Sequence, residues 1–311
     1  MYHFHIIYNQ KSGNKHSYPT IDKIQHYFKS THISYSTIGT IDTFDGLINQ
    51  LGSMPNYQDI ILIIGGDGTL HHLINYLVKH QLKTPIMIIP SGTGNDFSRY
   101  WQQNKSPENL LQKFMNKQWT SVDIPIIQWH NHQNHSHGVI VNSMGIGLDA
   151  HANFETTYVQ RSFHPLLIKV LKKLNLMYIV GLLRALFNIP QFELKITCDD
   201  QTTILPAISI ATLVNNPFLG GGIMIDNQSK PNFQTLALIT YHHIDFKAAI
   251  ELLVKVLIFK NQQTSKHVTR FEGSHIHVRV KEPQVCQMDG ESFTETVDFS
   301  YQMTSHPFYL L

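Results

Sequence analysis

"DIILIIGGDGTLHHLINYL", residues 59–77, contains the transition on which the fold turns. Its first six residues form a continuous apolar run, the pattern of a strand buried on both faces of a parallel sheet. Gly65, Gly66, Asp67 and Gly68 follow, and from Leu70 to His80 the chain reads as a helix. A strand ending in glycines just before a helix lets backbone N–H groups approach an anion, and the helix N-terminus adds a favourable dipole. Phosphate is the natural guest.

Two further apolar runs flank this one. "YHFHIIYN" (residues 2–9) and "TPIMIIP" (residues 84–90) both end in loops, and helix-like stretches lie between the runs, so the first third reads as a doubly wound α/β domain. The last run enters "PSGTGNDFSR" (residues 90–99), where Gly92 and Gly94 free the backbone and Ser91, Thr93 and Asn95 supply hydrogen bonds. Two such loops from neighbouring strands meet at the carboxyl edge of a sheet, where open α/β folds bind ligands. Each loop holds a carboxylate, Asp67 or Asp96, and a carboxylate beside a polyphosphate is repulsive unless a cation separates them. Mg2+ is the expected mediator. One such loop alone reads equally well as turn glycines with a capping aspartate. Neither G-x-x-x-x-G-K-[ST] nor G-x-G-x-x-G occurs.

The remaining 190 residues have a different texture, and the domain boundary is placed at 121/122. "HGVIVNSMG", "QFELKITCD", "ILPAISIATLVNN", "FQTLALITYHH", "SHIHVRVKE" and "ETVDFSY" alternate with polar turns and predict an antiparallel β domain over 122–311, whose extreme C-terminus could return to the first domain. Two helical insertions interrupt it, Leu166–Phe187 and Phe246–Phe259, the second read as a core helix. "HNHQNHSH" (residues 130–137), between two strand-like runs, reads as a solvated hairpin loop rather than a metal site.

With 24 Lys+Arg against 22 Asp+Glu, no basic surplus points to nucleic acid. Cys198 and Cys286 lack metal-ligand spacing and suit a reducing compartment. The N-terminus lacks signal-peptide features, so a cytoplasmic location is expected. Leu166–Asn188 is the most apolar region, but it carries Lys169, Lys172, Lys173 and Arg184, and its longest uncharged stretch is ten residues, against roughly 20 needed to span a bilayer.

In order and spacing, "GGDGTL", "PSGTGNDFSR", "VNSMGIGLDA" and "QMDGES" resemble the diacylglycerol kinase catalytic-domain family, which includes bacterial soluble lipid kinases and sphingosine and ceramide kinases. The resemblance covers nearly the whole chain. It implies a Rossmann-like N-terminal domain akin to NAD kinases and phosphofructokinases, a C-terminal β-sandwich, and an active site in the cleft between them. It further implies ATP with Mg2+, bound by Gly65, Gly66, Asp67, Gly68 and Thr69 and by Ser91, Gly92, Thr93, Asn95 and Asp96. Asn9, Ser12, Gly13 and Lys15 of an early "NxxSG" element would line the same nucleotide pocket. Asp289 of "QMDGES" would be the general base toward an acceptor hydroxyl, with Glu291 beside it. By itself "DGES" reads as an ordinary hairpin turn.

The implied reaction is phosphorylation of diacylglycerol or a related lipid at the inner membrane face. Leu166–Asn188 could lie in the interface there, though the same pattern suits a core helix with snorkelling lysines. A homodimer is left open. An NAD kinase, a kinase of another small alcohol, and a nucleotide- or lipid-binding protein without turnover are the alternatives. Three departures from the family stand out: His71 and His72 replace Asn-Glu, "NQKSG" lacks the proline after Asn, and no Asp-Gly pair lies between Gly222 and Leu238. In several bacterial members that pair belongs to a structural metal site; Asp226 could still serve there, but a second metal is not expected.

Overall fold

The computed structural model describes residues 1–9, 17–40, 44, 47–52, 56–102, 105–173 and 176–311. They divide into two compact units, Met1–Ile124 with Ser305–Leu311, and Pro125–Thr304.

In the first unit β1 (Tyr2–Asn9), α1 (Ser17–Ser30), β2 (Ser34–Thr40), a short α2 (Leu47–Gln50), β3 (Gln58–Gly65), α3 (Asp67–Lys79), β4 (Ile86–Pro90), α4 (Asp96–Trp101) and α5 (Pro107–Met115) follow one another. The strands are parallel in the order β4-β3-β1-β2. Ile60, Leu62, Ile64, Met87 and Ile89 pack with Ile24 and Phe28 of α1 and Leu110 and Phe114 of α5. Strand alternation turns Ile61, Ile63 and Ile88 to the opposite face, and the right-handed crossover from β3 to β4 puts α3 there. The sheet is therefore doubly wound, as the sequence predicts, and the winding reverses between β1 and β3, beside the first glycine loop. Leu70, Leu73, Ile74 and Leu77 of α3 are fully buried. At about 2 kcal/mol each they outweigh the roughly 1 kcal/mol that Gly68 costs the helix.

His306 lies in the returning C-terminal segment of this unit, fully buried, with Nε2 3.0 Å from the Thr84 carbonyl and no partner for Nδ1 among the described residues. Burial pushes its pKa down to about 4, partly opposed by the Thr84 hydrogen bond. The unfolded chain thus binds a proton near pH 6.5 that the folded chain refuses until about pH 4. Stability is retained above this window and falls by about 3 kcal/mol as pH drops through it. Denaturant midpoints measured between pH 7 and 4 should show this slope, and His306→Gln, which can still donate to Thr84, should flatten it.

The second unit begins within β5 (Thr120–Asn131), followed by β6 (His137–Ile140), β7 (Ser143–Gly147), α6 (Leu148–Ser162), α7 (Pro165–Lys173), α8 (Met177–Ala185) and a 3-10 turn (Leu186–Asn188). Then come β8 (Phe192–Cys198), β9 (Gln201–Val214), β10 (Phe218–Leu219), β11 (Ile223–Met224), β12 (Leu236–His242) and α9 (Phe246–Val254), which continues into a π-turn (Lys255–Phe259). A 3-10 turn (Gln262–Thr264) precedes β13 (Val268–Gly273), β14 (His275–Arg279), β15 (Gln284–Met288), β16 (Glu291–Glu295) and β17 (Asp298–Leu310). The path β16-β15-β7-β9-β8-β14-β17 is antiparallel, and β12 joins β9 to β13. β5 and β6 form a hairpin with His130 opposite His137, so the histidine tract is a hairpin loop as expected.

Two corrections arise here. Within Leu166–Phe187 the described residues form α7, α8 and the start of a 3-10 turn, not the single helix expected. Phe246–Phe259 is a core helix on one face only: Ala248, Ala249 and Leu252 are buried, whereas Phe246, Ile250, Val254, Ile258 and Phe259 are exposed. Helix α6 had no expectation, because its buried positions include Asp149, Ala150, Ala152 and Thr156, which leave little apolar stripe to read. Burial raises the pKa of both free cysteines, that of Cys286 to about 12, which keeps Cys286 a neutral thiol at neutral pH. Among the described residues no helix is long and apolar enough to cross a membrane.

Candidate active site

The two glycine loops of the first unit touch. Gly65 pairs with Pro90 across β3 and β4, and the Ser91 N–H donates to the Gly65 carbonyl at 2.8 Å. A Cβ on Gly92 would lie 2.6 Å from Gly66 Cα, and one on Gly66 would lie 2.9 Å from Gly92 Cα. These two glycines are therefore required by each other. Gly65 has a different reason, since its Cβ would meet the Thr69 hydroxyl at 2.8 Å.

Asp67 closes the arrangement. Its carboxylate accepts the backbone N–H of Asp96 at 3.0 Å and of Phe97 at 3.1 Å, capping α4 from the neighbouring loop. Asn95 takes a left-handed conformation, φ +54°, and its amide both accepts from and donates to the Gly92 backbone. Asp96 is buried, 3.9 Å from Arg99 Nε. Gly66, the N-cap of α3, provides no side-chain cap, so the helix dipole opens toward the loop pair. Thr69 is buried, Ser91 and Gly68 are half-buried and Thr93 is exposed. His71 and His72 occupy the start of α3, half-buried and exposed respectively. Ser12, Gly13 and Lys15 lie outside the described residues; Asn9 ends β1.

In the second unit Asp289 and Gly290 form the two-residue turn between β15 and β16, both with positive φ, +48° and +93°. This is the hairpin anticipated from "DGES". The Asp289 carboxylate is buried and accepts three backbone N–H groups, from Val141 (2.8 Å), Asn142 (2.6 Å) and Ser143 (3.1 Å). Glu291 follows, exposed, at the start of β16. Gln287 accepts the Gly290 N–H at 2.9 Å and donates to Asp149 at 3.2 Å.

Asp149 and Gln287, which carry no role in the sequence reading, thus tie the turn to what lies beneath it. Asp149 and Thr212 sit in the wall of an apolar cavity of about 90 Å³, together with Leu182, Leu186, Ile239 and Leu252. Tyr241 shares the wall. Burial first, then the charges of Asp149 and Asp226, push its hydroxyl well above the usual range, so it stays neutral. Both missed residues lie inside quoted motifs, "MGIGLDA" and "QMDGES". Only the fold brings positions 138 residues apart into contact.

Asp226, the residue considered for the implied structural metal, is engaged by other groups. Its fully buried carboxylate accepts hydrogen bonds from Ser229 Oγ (2.5 Å), Arg270 Nε (3.0 Å), the Gln228 N–H (3.1 Å) and Gln263 Nε2 (3.1 Å). Burial acts to raise its pKa, but the Ser229 and Arg270 hydrogen bonds outweigh that and hold it below the usual carboxylate range. A carboxylate so engaged, with a guanidinium against it, does not fit a divalent ion. Among the described residues no group of three or more His, Cys, Asp or Glu is placed to hold a metal.

The profile of the diacylglycerol kinase catalytic domain matches residues 3–126, and that of the "YegS C-terminal NAD kinase beta sandwich-like domain" matches residues 142–304. Proteins named "Putative lipid kinase" from Staphylococcus aureus strains Mu3 and Newman are 27% identical over 238 residues, covering 76% of this chain and 72% of theirs. The solved structure described as "A putative diacylglycerol kinase from Bacillus anthracis str. Sterne" superimposes with a TM-score of 0.73 at 18% identity, over 99% of this chain and 97% of that one. Another, of "a diacylglycerol kinases" from the same organism, gives 0.65 at 18% identity, over 98% and 95%. The α/β unit with its paired glycine loops, the antiparallel unit with its Asp-Gly turn, and these matches agree: the chain belongs to the diacylglycerol kinase catalytic-domain family.

Proposed function

We propose that the protein is an ATP-dependent lipid kinase that phosphorylates the hydroxyl of diacylglycerol or a related lipid at the cytoplasmic membrane face. The observation that carries this reading is the apolar cavity beneath the Asp289–Gly290 turn, linked to that turn through Asp149 and Gln287. An acceptor with a hydroxyl at one end and a hydrocarbon chain at the other matches such a wall, whereas the soluble dinucleotide acceptor of an NAD kinase does not.

In this reading Gly66, Gly68, Thr69, Ser91, Gly92, Thr93 and Asn95 receive the nucleotide phosphates, with Asn9, Ser12, Gly13 and Lys15 lining the pocket. Asp67 and Asp96 would hold Mg2+ that arrives on the nucleotide, which suits an ion coordinated mainly by phosphate and water. When bound, Mg2+ neutralises charge on the transferring phosphoryl group. Asp289, held by three N–H groups, takes the proton of the acceptor hydroxyl. The acceptor oxygen bonds to the γ-phosphorus as the bond to the β,γ-bridging oxygen breaks, releasing ADP. Glu291, the first residue of β16, adds a second carboxylate at the turn.

ADP release measured with Mg-ATP and diacylglycerol in mixed micelles should depend on the lipid. Turnover only with a soluble alcohol or with NAD would remove the lipid acceptor and keep the kinase. ATP binding without ADP release on any acceptor would leave a binding protein.

A further inference from the structure

Two elements that line the apolar cavity of the second unit are apolar on both sides. Ala249, Leu252, Leu253 and Val256 of α9 and its π-turn line the cavity, while Phe246, Ile250, Val254, Ile258 and Phe259 face outward. Three of these outward residues are large and well exposed: Phe246 at 58%, Ile258 at 69% and Phe259 at 64%. Positions 246, 250 and 254 repeat every four residues and make one stripe, which the π-turn extends to Ile258 and Phe259. The stretch Leu182–Phe187 repeats the arrangement: Leu182 and Leu186 line the cavity, and Leu183 and Phe187, the latter 88% exposed, face out.

Charge chooses among possible occupants. Between Asp245 and Lys266 stand four lysines and two carboxylates. Asp245 is engaged in capping α9 through the Ala248 N–H at 2.7 Å, and Glu251 pairs with Lys255 at 2.9 Å. Lys247, Lys260 and Lys266 are exposed around the stripe. A helix with large apolar residues on its outer face and lysines at its margin has the form of an interfacial anchor for an anionic bilayer. A bilayer also agrees with the cavity behind it. A second protein seated on the stripe would seal the wall through which a lipid chain must pass, whereas a membrane supplies that chain.

We propose that the outer face of Phe246–Lys260, flanked by Leu183 and Phe187, docks on an anionic lipid bilayer and delivers lipid to the cavity it covers. The reason for delivery, though not the docking itself, rests on the lipid-kinase reading. The test is sedimentation of the full chain with vesicles of phosphatidylcholine containing about 30% phosphatidylglycerol, a composition chosen to give a negative surface potential. Two variants are compared with wild type: Phe246→Ser/Ile258→Ser/Phe259→Ser, and Lys247→Glu/Lys260→Glu. All five positions are exposed and outside the cavity wall, so folding should tolerate the changes.

The expected result is binding by wild type, at least a tenfold weaker partition for either variant, and weaker wild-type binding at high salt. Activity separates this proposal from the kinase reading. Both variants should turn over a short-chain diacylglycerol, dissolved as monomer, at the wild-type rate, yet lose turnover on diacylglycerol embedded in vesicles. If no acceptor is phosphorylated, the kinase reading falls while the sedimentation result still stands for the surface. The proposal is overturned if wild type ignores the vesicles or if both variants bind as wild type does. It is equally overturned if light scattering shows a wild-type dimer that the serine variant converts to monomer, because the stripe is then a self-association face.

Discussion

Asp289→Asn should leave a folded protein whose lipid-dependent turnover is reduced by about 10²–10⁴-fold, the range typical for loss of a positioned general base. Asparagine is the informative replacement because, like aspartate, it tolerates the left-handed backbone that position 289 adopts at φ +48°. Alanine would confound lost chemistry with backbone strain. The substitution also turns an NH2 toward backbone N–H groups that now donate to a carboxylate. With bonds from Val141, Asn142 and Ser143 at stake, stability should fall by about 1–3 kcal/mol. The two effects can be separated by kinetics. If Asp289 takes the acceptor proton, kcat falls while ATP affinity is kept, and lowering the temperature to restore the fold does not restore turnover. If Asp289 only clamps the β6–β7 backbone to the hairpin, turnover recovers once the variant is stabilised, and the base lies elsewhere, with Glu291→Gln the next variant to measure.

Arg270→Met should destabilise the protein by about 3–5 kcal/mol, because it strands a fully buried carboxylate without its cation. Arg270 also pairs with Glu272 at the surface, but an exposed pair contributes at most about 1 kcal/mol, so the loss is dominated by Asp226. The double variant Asp226→Asn/Arg270→Met should recover most of the stability, since the amide can keep several of its neighbours and carries no charge. If a metal rather than Arg270 balanced Asp226, chelation would lower the melting temperature of wild type and Arg270→Met would cost little. The expected outcome is the reverse: no shift with EDTA, and a loss of about 6–20 °C in the variant.

The parallel sheet was legible because its strands are buried on both faces. Residues 60–64 of β3 and 86–89 of β4 appear in the chain as uninterrupted apolar runs, and glycines mark where β3 stops. The paired loops were legible for the same reason: "GGDGTL" and "PSGTGNDFSR" are contiguous segments, and backbone chemistry concentrated in a few neighbouring residues survives in a linear string. The Asp289–Gly290 turn was visible as a hairpin, but what its carboxylate grips was not, because the donors lie about 150 residues earlier.

The same limit hid Asp149 and Gln287, whose partnership exists only once β15 pairs with β7 and brings the start of α6 alongside. It hid the role of Arg270, which in sequence is one basic residue among 24. It also inverted the reading of α9, where apolar residues on two faces look like a core helix until the tertiary structure shows one of those faces turned outward. Local order therefore determined the strands, the glycine loops and the turn. Which glycine needs which, which charge balances Asp226, and which apolar face meets solvent were decided by tertiary packing, because each depends on a contact between residues that are distant in sequence.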